Sequence, residues 1–142
     1  MLKHQLSTDD VEFRVAFEAG AYAPADFSHR AHVRLAYVYL AGSDVDVALE
    51  RMRAALVGFL AHHGIPASKY HETLTRAWLL GVHHFMHRSP EASSADDFIE
   101  RNPLLLDTKI MLTHYSAELL FSDAARAEFV EPNLDPIPRH AA

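Results

Sequence analysis

The sequence contains no cysteine among its 142 residues. This absence excludes disulfide bonds, thiolate zinc sites, iron–sulfur clusters and cysteine nucleophiles. Basic residues are also few, with 13 lysines and arginines against 19 aspartates and glutamates, which gives a formal net charge of −6. Because nucleic-acid binding depends on a basic surface that displaces counterions, this charge balance argues against a nucleic-acid partner.

Long hydrophobic runs are missing as well. A charged or polar residue interrupts each apolar stretch within a few positions, too soon for a membrane span. The first ten residues have neither the apolar core of a signal peptide nor a cleavage site of small residues. Hydrophobic residues make up 49% of the chain and charged residues 23%, as in a globular protein. We therefore expect one cytoplasmic domain with no membrane partner.

The apolar residues recur with helical spacing along most of the chain, and the glycines mostly fall where helices would stop. Ser7, Ser28 and Ser68 stand at positions typical of helix N-caps. The pattern predicts an all-α fold, an antiparallel bundle of about four main helices plus short helices over residues 1–130. An extended, proline-rich tail is predicted for residues 131–142. The predicted helices span about 8–19, 29–41, 43–63, 69–88, 94–101, 107–121 and 123–130.

Histidine is the unusual component of the composition, with 11 residues. Short connections make consecutive helices antiparallel, so the second and fourth helices should begin at the same end of the bundle. His29 and His32, one turn apart, would then lie beside His71. The positive helix end keeps such rings neutral, as metal binding requires. Three histidines with a carboxylate nearby suit Zn²⁺, Fe²⁺ or Mn²⁺ with one open coordination position.

Other residues near these histidines could complete a catalytic site. Glu72 points about 100° away from His71 on an ideal helix, so we expect it to act as a general base or to support a ligand. Tyr70 could assist the reaction, while Arg30 and Thr75 could orient a substrate. His114 could be an additional ligand if it faces inward from the predicted helix 107–121.

The remaining histidines have simpler interpretations. His62 and His63 stand at the end of a helix, where side chains of this type interact favourably with the last carbonyl groups. His83 and His87 have the i, i+4 spacing of a surface metal site but lie at the opposite end of the bundle. Because polar residues are favoured in a last helical turn in any case, we interpret this pair as mainly structural.

Two motifs carry a resemblance to a known family. The run FSHRAHVRLA from Phe27 to Ala36 and the run YHETLT from Tyr70 to Thr75 resemble a family of small all-helical bacterial proteins described as uncharacterised. The segment from Pro132 to Pro138 resembles the characteristic ending of that family. The resemblance covers nearly the whole chain and implies a stand-alone domain, but no activity or catalytic residue. A looser similarity to DinB-like and hemerythrin-like bundles is an analogy of fold only.

Three functions remain open from the sequence. The first is a small metal-dependent enzyme acting on a small polar molecule, with a divalent ion held by the three histidines. The second is a metal-free pocket, in which the same histidines and Glu72 bind a small polar molecule or act as acid and base. The third is an interaction module without chemistry. The sequence is compatible with a monomer or a homodimer.

Overall fold

The computed structural model describes residues 3–140, so the first two residues of the predicted domain and the last two of the predicted tail lie outside it. The described residues form seven α-helices and four short 3₁₀ turns, with no strand among them. This confirms the predicted all-α class. The helices are α1 (Thr8–Glu18), α2 (His29–Leu40), α3 (Val45–His62), α4 (Glu72–Arg88), α5 (Ala95–Arg101), α6 (Ala117–Leu120) and α7 (Asp123–Ala127).

Side-chain caps and glycines set the ends of the first three helices. Ser7, Ser28 and Asp44 each accept a hydrogen bond from the backbone N–H three residues later, at the starts of α1, α2 and α3. Gly20 and Gly64 follow the ends of α1 and α3 with φ of +73° and +67°. Because L-residues rarely adopt this left-handed conformation, glycine is favoured at both stops.

Helix α2 lies in the centre of the bundle, because it is apolar on nearly every side. Eight of its twelve residues are buried, and it packs against α1, α3, α4 and α5. Burial of one such side chain, for example Leu35, contributes about 2 kcal/mol to the free energy of unfolding. Within residues 3–140, no helix combines the length and the apolar character needed to cross a membrane.

The start of the fourth helix differs from its prediction. Residues Ala67–Lys69 form a 3₁₀ turn, Tyr70 is extended, and α4 begins at Glu72. The N-cap is His71 rather than Ser68, since the His71 ring accepts the hydrogen bond from the backbone N–H of Leu74. His71 therefore precedes α4 instead of lying in its first turn.

The long helix predicted for residues 107–121 is wrong. Polar side chains there bond to the nearby backbone and compete with a helix, as aspartate, threonine and serine often do. The Lys109 N–H donates to the carboxylate of Asp107, and the Thr113 hydroxyl donates to the Ile110 carbonyl. The segment instead contains the 3₁₀ turns Pro103–Leu106 and Ile110–Thr113, followed by the four-residue α6.

The proline-rich tail has no helix within residues 131–140, in line with its prediction. Part of the tail is buried, because Ile137 is only 6% exposed and belongs to the hydrophobic core. The tail is also bonded to the preceding segment, where the Leu134 N–H donates to the His114 carbonyl over 2.9 Å. Residues 134–137 of the tail therefore contribute to the packing of the bundle.

Candidate functional site

A pocket of about 410 Å³ opens where the beginnings of α2 and α4 meet the end of α3. It is lined by five side chains that the sequence predicted as site residues: His29, His32, Tyr70, His71 and Thr75. The antiparallel order of the helices brings them together, as α2 and α4 begin at the same end of the bundle. The order of the helices thus explains why these five side chains lie together, while their chemical roles stay predictions.

The walls of the pocket are mainly aromatic and aliphatic. Phe27, Phe59 and Trp78 contribute rings, and leucines from α3 and α4 also line the pocket. Trp78 is the only tryptophan of the chain and is 5% exposed, with its ring centroid 4.6 Å from that of His29 in an edge-on arrangement. The pocket therefore offers apolar contact on most sides and polar groups at a few points.

His71 has no free ring nitrogen. Its Nδ1 accepts the Leu74 N–H over 3.0 Å, so in the neutral ring Nε2 carries the hydrogen and donates it to the Leu120 carbonyl over 2.8 Å. Burial lowers the pKa of His71, which keeps the ring neutral. The residue caps α4 and connects it to α6. A metal or substrate could bind to this ring only at the expense of one of these bonds.

His29 and His32 retain acceptor nitrogens. His29 Nε2 lies 2.9 Å from the Leu105 carbonyl and must donate to it, which leaves Nδ1 as an acceptor in the neutral ring. No hydrogen bond reaches the His32 ring from the described part of the chain, and burial, with a smaller effect from His29, lowers the pKa of His32 to about 4. His32 is therefore neutral at pH 7. The two rings are nearly parallel, with centroids 6.3 Å apart.

Glu72 is held by two neighbours rather than being available as a base. Arg53 donates to both of its carboxylate oxygens, one of them at 2.9 Å, and the Tyr70 hydroxyl donates to Oε1 over 2.6 Å. The Arg53 guanidinium, and then the Tyr70 hydroxyl, lower the pKa of Glu72. Burial, together with the bond to Glu72, raises the pKa of Tyr70 to about 12. Glu72 thus stays ionised and fixes the position of Tyr70 in the pocket wall.

The two predicted substrate-binding residues differ in their surroundings. Arg30 does not line the pocket but pairs with Asp96 of α5, the guanidinium nitrogen lying 3.0 Å from the carboxylate oxygen on an exposed surface. Thr75 does line it, and its hydroxyl donates to the His71 carbonyl over 2.8 Å. The Thr75 oxygen can still accept a hydrogen bond from a ligand.

The predicted metal site finds no support in this geometry. Within residues 3–140, no group of three or more histidine, aspartate or glutamate side chains is arranged to hold a metal ion. His71, the predicted third ligand, has both ring nitrogens in hydrogen bonds. His114, the predicted extra ligand, lies outside the pocket, with Nδ1 bonded to the Asp135 carbonyl over 2.7 Å. Binding of Zn²⁺, Fe²⁺ or Mn²⁺ therefore stays a prediction.

A second group of histidines lies at the opposite end of α4. His83 and His87 have ring centroids 4.6 Å apart, and His140 of the tail stacks on His87 with centroids 4.3 Å apart. His84 Nδ1 is 2.7 Å from His140 Nε2. Burial, together with the neighbouring His87 and His140, lowers the pKa of His83 to about 4. These contacts attach the tail to α4.

Two residues that shape the pocket were not predicted as site residues. Trp78 follows His71 by seven positions, which is two helical turns, and so falls on the same face. Arg53 precedes Leu56 by three positions and Leu60 by seven, and those leucines line the pocket. The helical spacing was therefore a usable signal in both cases. The spacing did not predict the ion pair between Arg53 of α3 and Glu72 of α4.

Comparisons with known proteins add no assignment, as no protein-family model, no curated protein and no solved structure matches this chain. The resemblance carried by the two motifs stays a prediction.

Proposed function

We propose that the protein binds a small, largely apolar molecule in the pocket at the beginnings of α2 and α4, without a metal ion. The observation that carries this proposal is a pocket of about 410 Å³ with apolar walls and two acceptor-bearing rings, His29 and His32. Ligand pockets in proteins are typically about 300–1,000 Å³, mostly apolar, with a few polar groups that orient the ligand.

The chemistry of the polar groups favours binding over catalysis. A general base works best when its pKa lies near the working pH, whereas the pKa of His32 is about 4. Glu72 is ionised, but both of its oxygens are already hydrogen-bonded to Arg53 and Tyr70. His71 is committed to the helix cap. Three of the groups that could move a proton, His32, Glu72 and His71, are thus either weakly basic or occupied.

The metal-dependent enzyme predicted from the sequence has less support. It needs three ligands converging on one point, and the bonds of His71 to Leu74 and Leu120 work against that convergence. The interaction module is also less favoured, because this end of the bundle is concave rather than closed.

A fragment titration followed by ¹⁵N–¹H NMR tests the proposal. Small aromatic and aliphatic compounds are added to the labelled full-length protein, and the amide shifts are mapped on the structure. We expect bound compounds to shift amides around the pocket, such as those of His32, Leu60 and Leu74, and not those at the opposite end of α4.

A pair of matched variants supplies the control. Leu60 lines the pocket and is partly exposed, so Leu60→Trp should fill space there without disrupting the core. Leu134 is 52% exposed and does not line the pocket, so Leu134→Trp makes the same change elsewhere. We expect the dissociation constant to rise at least tenfold in Leu60→Trp alone. If no compound shifts pocket amides, or both variants bind alike, the proposal is wrong.

A further inference from the structure

The hydrogen-bonding groups of the pocket determine what kind of ligand it suits. The donors that line it are mostly occupied: His71 Nε2 donates to Leu120, His29 Nε2 to Leu105, and the Thr75 hydroxyl to His71. The Tyr70 hydroxyl donates to Glu72. What remains is one N–H donor, on the neutral ring of His32, and a larger number of acceptors: His29 Nδ1, the other nitrogen of His32, and the hydroxyl oxygens.

The charged side chains around the pocket also favour a neutral ligand. Glu72 is neutralised by Arg53, which holds both carboxylate oxygens. Among the residues that the structure describes, Lys69 is the one lysine or arginine that lines the pocket, and it is exposed at the rim, where water screens its charge. Between residues 3 and 140, no lysine or arginine lines the inner walls around His29, His32 and Trp78 to compensate for the desolvation of a buried carboxylate.

The geometry points to a neutral aromatic ligand that carries a hydrogen-bond donor, such as a phenol or an N–H heterocycle, with the donor directed at the imidazole of His32. The inference rests on the proposed function and narrows it to one class of molecule.

The rings that line the pocket favour an aromatic body. Phe27 lies 6.0 Å from His32, and Phe59 lies 5.6 Å from Phe27, measured between ring centroids. Trp78 and His29 form a further wall. Aromatic pairs prefer edge-to-face or offset contacts at these distances, so a flat ring among them gains contact on several sides. A pocket of about 410 Å³ has room for one or two fused rings with a short substituent.

Three compounds of nearly equal size separate the possibilities. 4-Propylphenol offers a donor, 4-propylanisole replaces that donor with a methyl ether, and 4-propylbenzoate carries a negative charge. Isothermal titration calorimetry on the full-length wild-type protein at pH 7.5 gives the dissociation constants. We expect the phenol to bind about tenfold more tightly than the ether, the effect of one hydrogen bond, and more tightly than the benzoate.

Variants of two histidines identify the protein side chain that accepts the hydrogen bond from the ligand. His32→Phe keeps an aromatic ring in the wall but removes the acceptor, so the tenfold ratio of phenol over ether should fall to about one. His62→Phe makes the same change at an exposed position outside the pocket and should leave the ratio unchanged. The comparison of the three compounds on the wild-type protein uses neither variant. It therefore still tests the inference if His32→Phe fails to fold.

The outcomes distinguish this inference from the proposed function. If the ether or the benzoate binds as tightly as the phenol, the inference is overturned while the pocket remains a binding site. If the tenfold ratio survives in His32→Phe, the donor is directed elsewhere and the inference is likewise overturned. If other fragments shift pocket amides while all three compounds are inactive, the ligand class is wrong. If no fragment binds at all, the proposed function itself fails.

Discussion

Replacing His71 with alanine should destabilise the protein strongly, although the sequence alone suggested a metal ligand at this position. The ring is buried, with 7% of the residue exposed, and joins two parts of the fold. It caps α4 through the Leu74 N–H and holds α6 through the Leu120 carbonyl. His71→Ala removes both bonds at once.

The size of the effect follows from these two bonds. Loss of an N-cap side chain costs about 1 kcal/mol. A buried carbonyl left without its donor costs about 2 kcal/mol, and Leu120 is only 2% exposed. We therefore expect the free energy of unfolding to fall by about 3 kcal/mol. His71→Asn should lose only about 2 kcal/mol, because asparagine is an effective N-cap but does not reach Leu120.

Urea denaturation followed by Trp78 fluorescence and circular dichroism measures these changes. With a slope of about 2 kcal/mol per molar urea, a loss of 3 kcal/mol lowers the unfolding midpoint by about 1.5 M. His62→Ala, at an exposed histidine of α3, serves as the control and should stay within about 0.5 kcal/mol of wild type.

A loss of less than about 1 kcal/mol in His71→Ala would contradict this prediction, since the two hydrogen bonds would then contribute little. An asparagine variant no more stable than the alanine variant would also contradict it, because the cap would then be unimportant. A variant with near-normal stability that also lost a stoichiometric metal ion would favour the metal site predicted from the sequence.

Three further predictions concern pH and glycines. Burial lowers the pKa of His83 to about 4, so the unfolded chain takes up a proton on this residue at a higher pH than the folded chain does. The free energy of unfolding should therefore fall by up to about 3 kcal/mol as the pH is lowered from about 6.5 to about 4. His83→Gln should flatten the pH dependence of the urea midpoint, and His62→Gln should not. Gly20→Ala should destabilise by about 1–2 kcal/mol, because φ is +73° and the added Cβ would lie 2.3 Å from His62 Cγ. Gly58→Ala should stabilise by about 0.5–1 kcal/mol, because Gly58 lies within α3 and its Cβ would meet nothing within 4 Å.

Each of these outcomes can be contradicted by the same denaturation curves. A midpoint that falls as steeply in His83→Gln as in wild type between pH 6.5 and 4 would show that other groups carry the effect. A Gly20→Ala variant as stable as Gly58→Ala would mean that the turn after α1 adapts at no cost.

The main helices could be predicted because their signals are local. The apolar stripe of α3 repeats with helical spacing, and Ser7 and Ser28 stand where caps are expected. The segment 107–121 could not be predicted in the same way, as it too has apolar residues at helical spacing. The structure of this segment depends on the side-chain bonds of Asp107 and Thr113, which compete with a helix. The tail also bonds to it, through the Leu134 N–H and the His114 carbonyl.

The location of the site could be predicted from topology, but its chemistry could not. Antiparallel helices bring His29, His32 and His71 to one end whatever their roles. Whether a ring nitrogen is free depends on backbone carbonyls distant in sequence, those of Leu105 and Leu120, which lie 76 and 49 positions away. Such partners leave no periodic signal in a single sequence.

The first turn of α4 is bonded to the segment that follows α7 as well as to α6. The fully buried Thr73 hydroxyl donates to the Glu128 carbonyl over 2.9 Å and accepts the Val130 N–H over 3.1 Å. One wall of the pocket and residues 120–130 should therefore open and close as one cooperative unit. A ligand that holds this wall in place would slow hydrogen exchange at the Val130 amide, even though Val130 does not line the pocket.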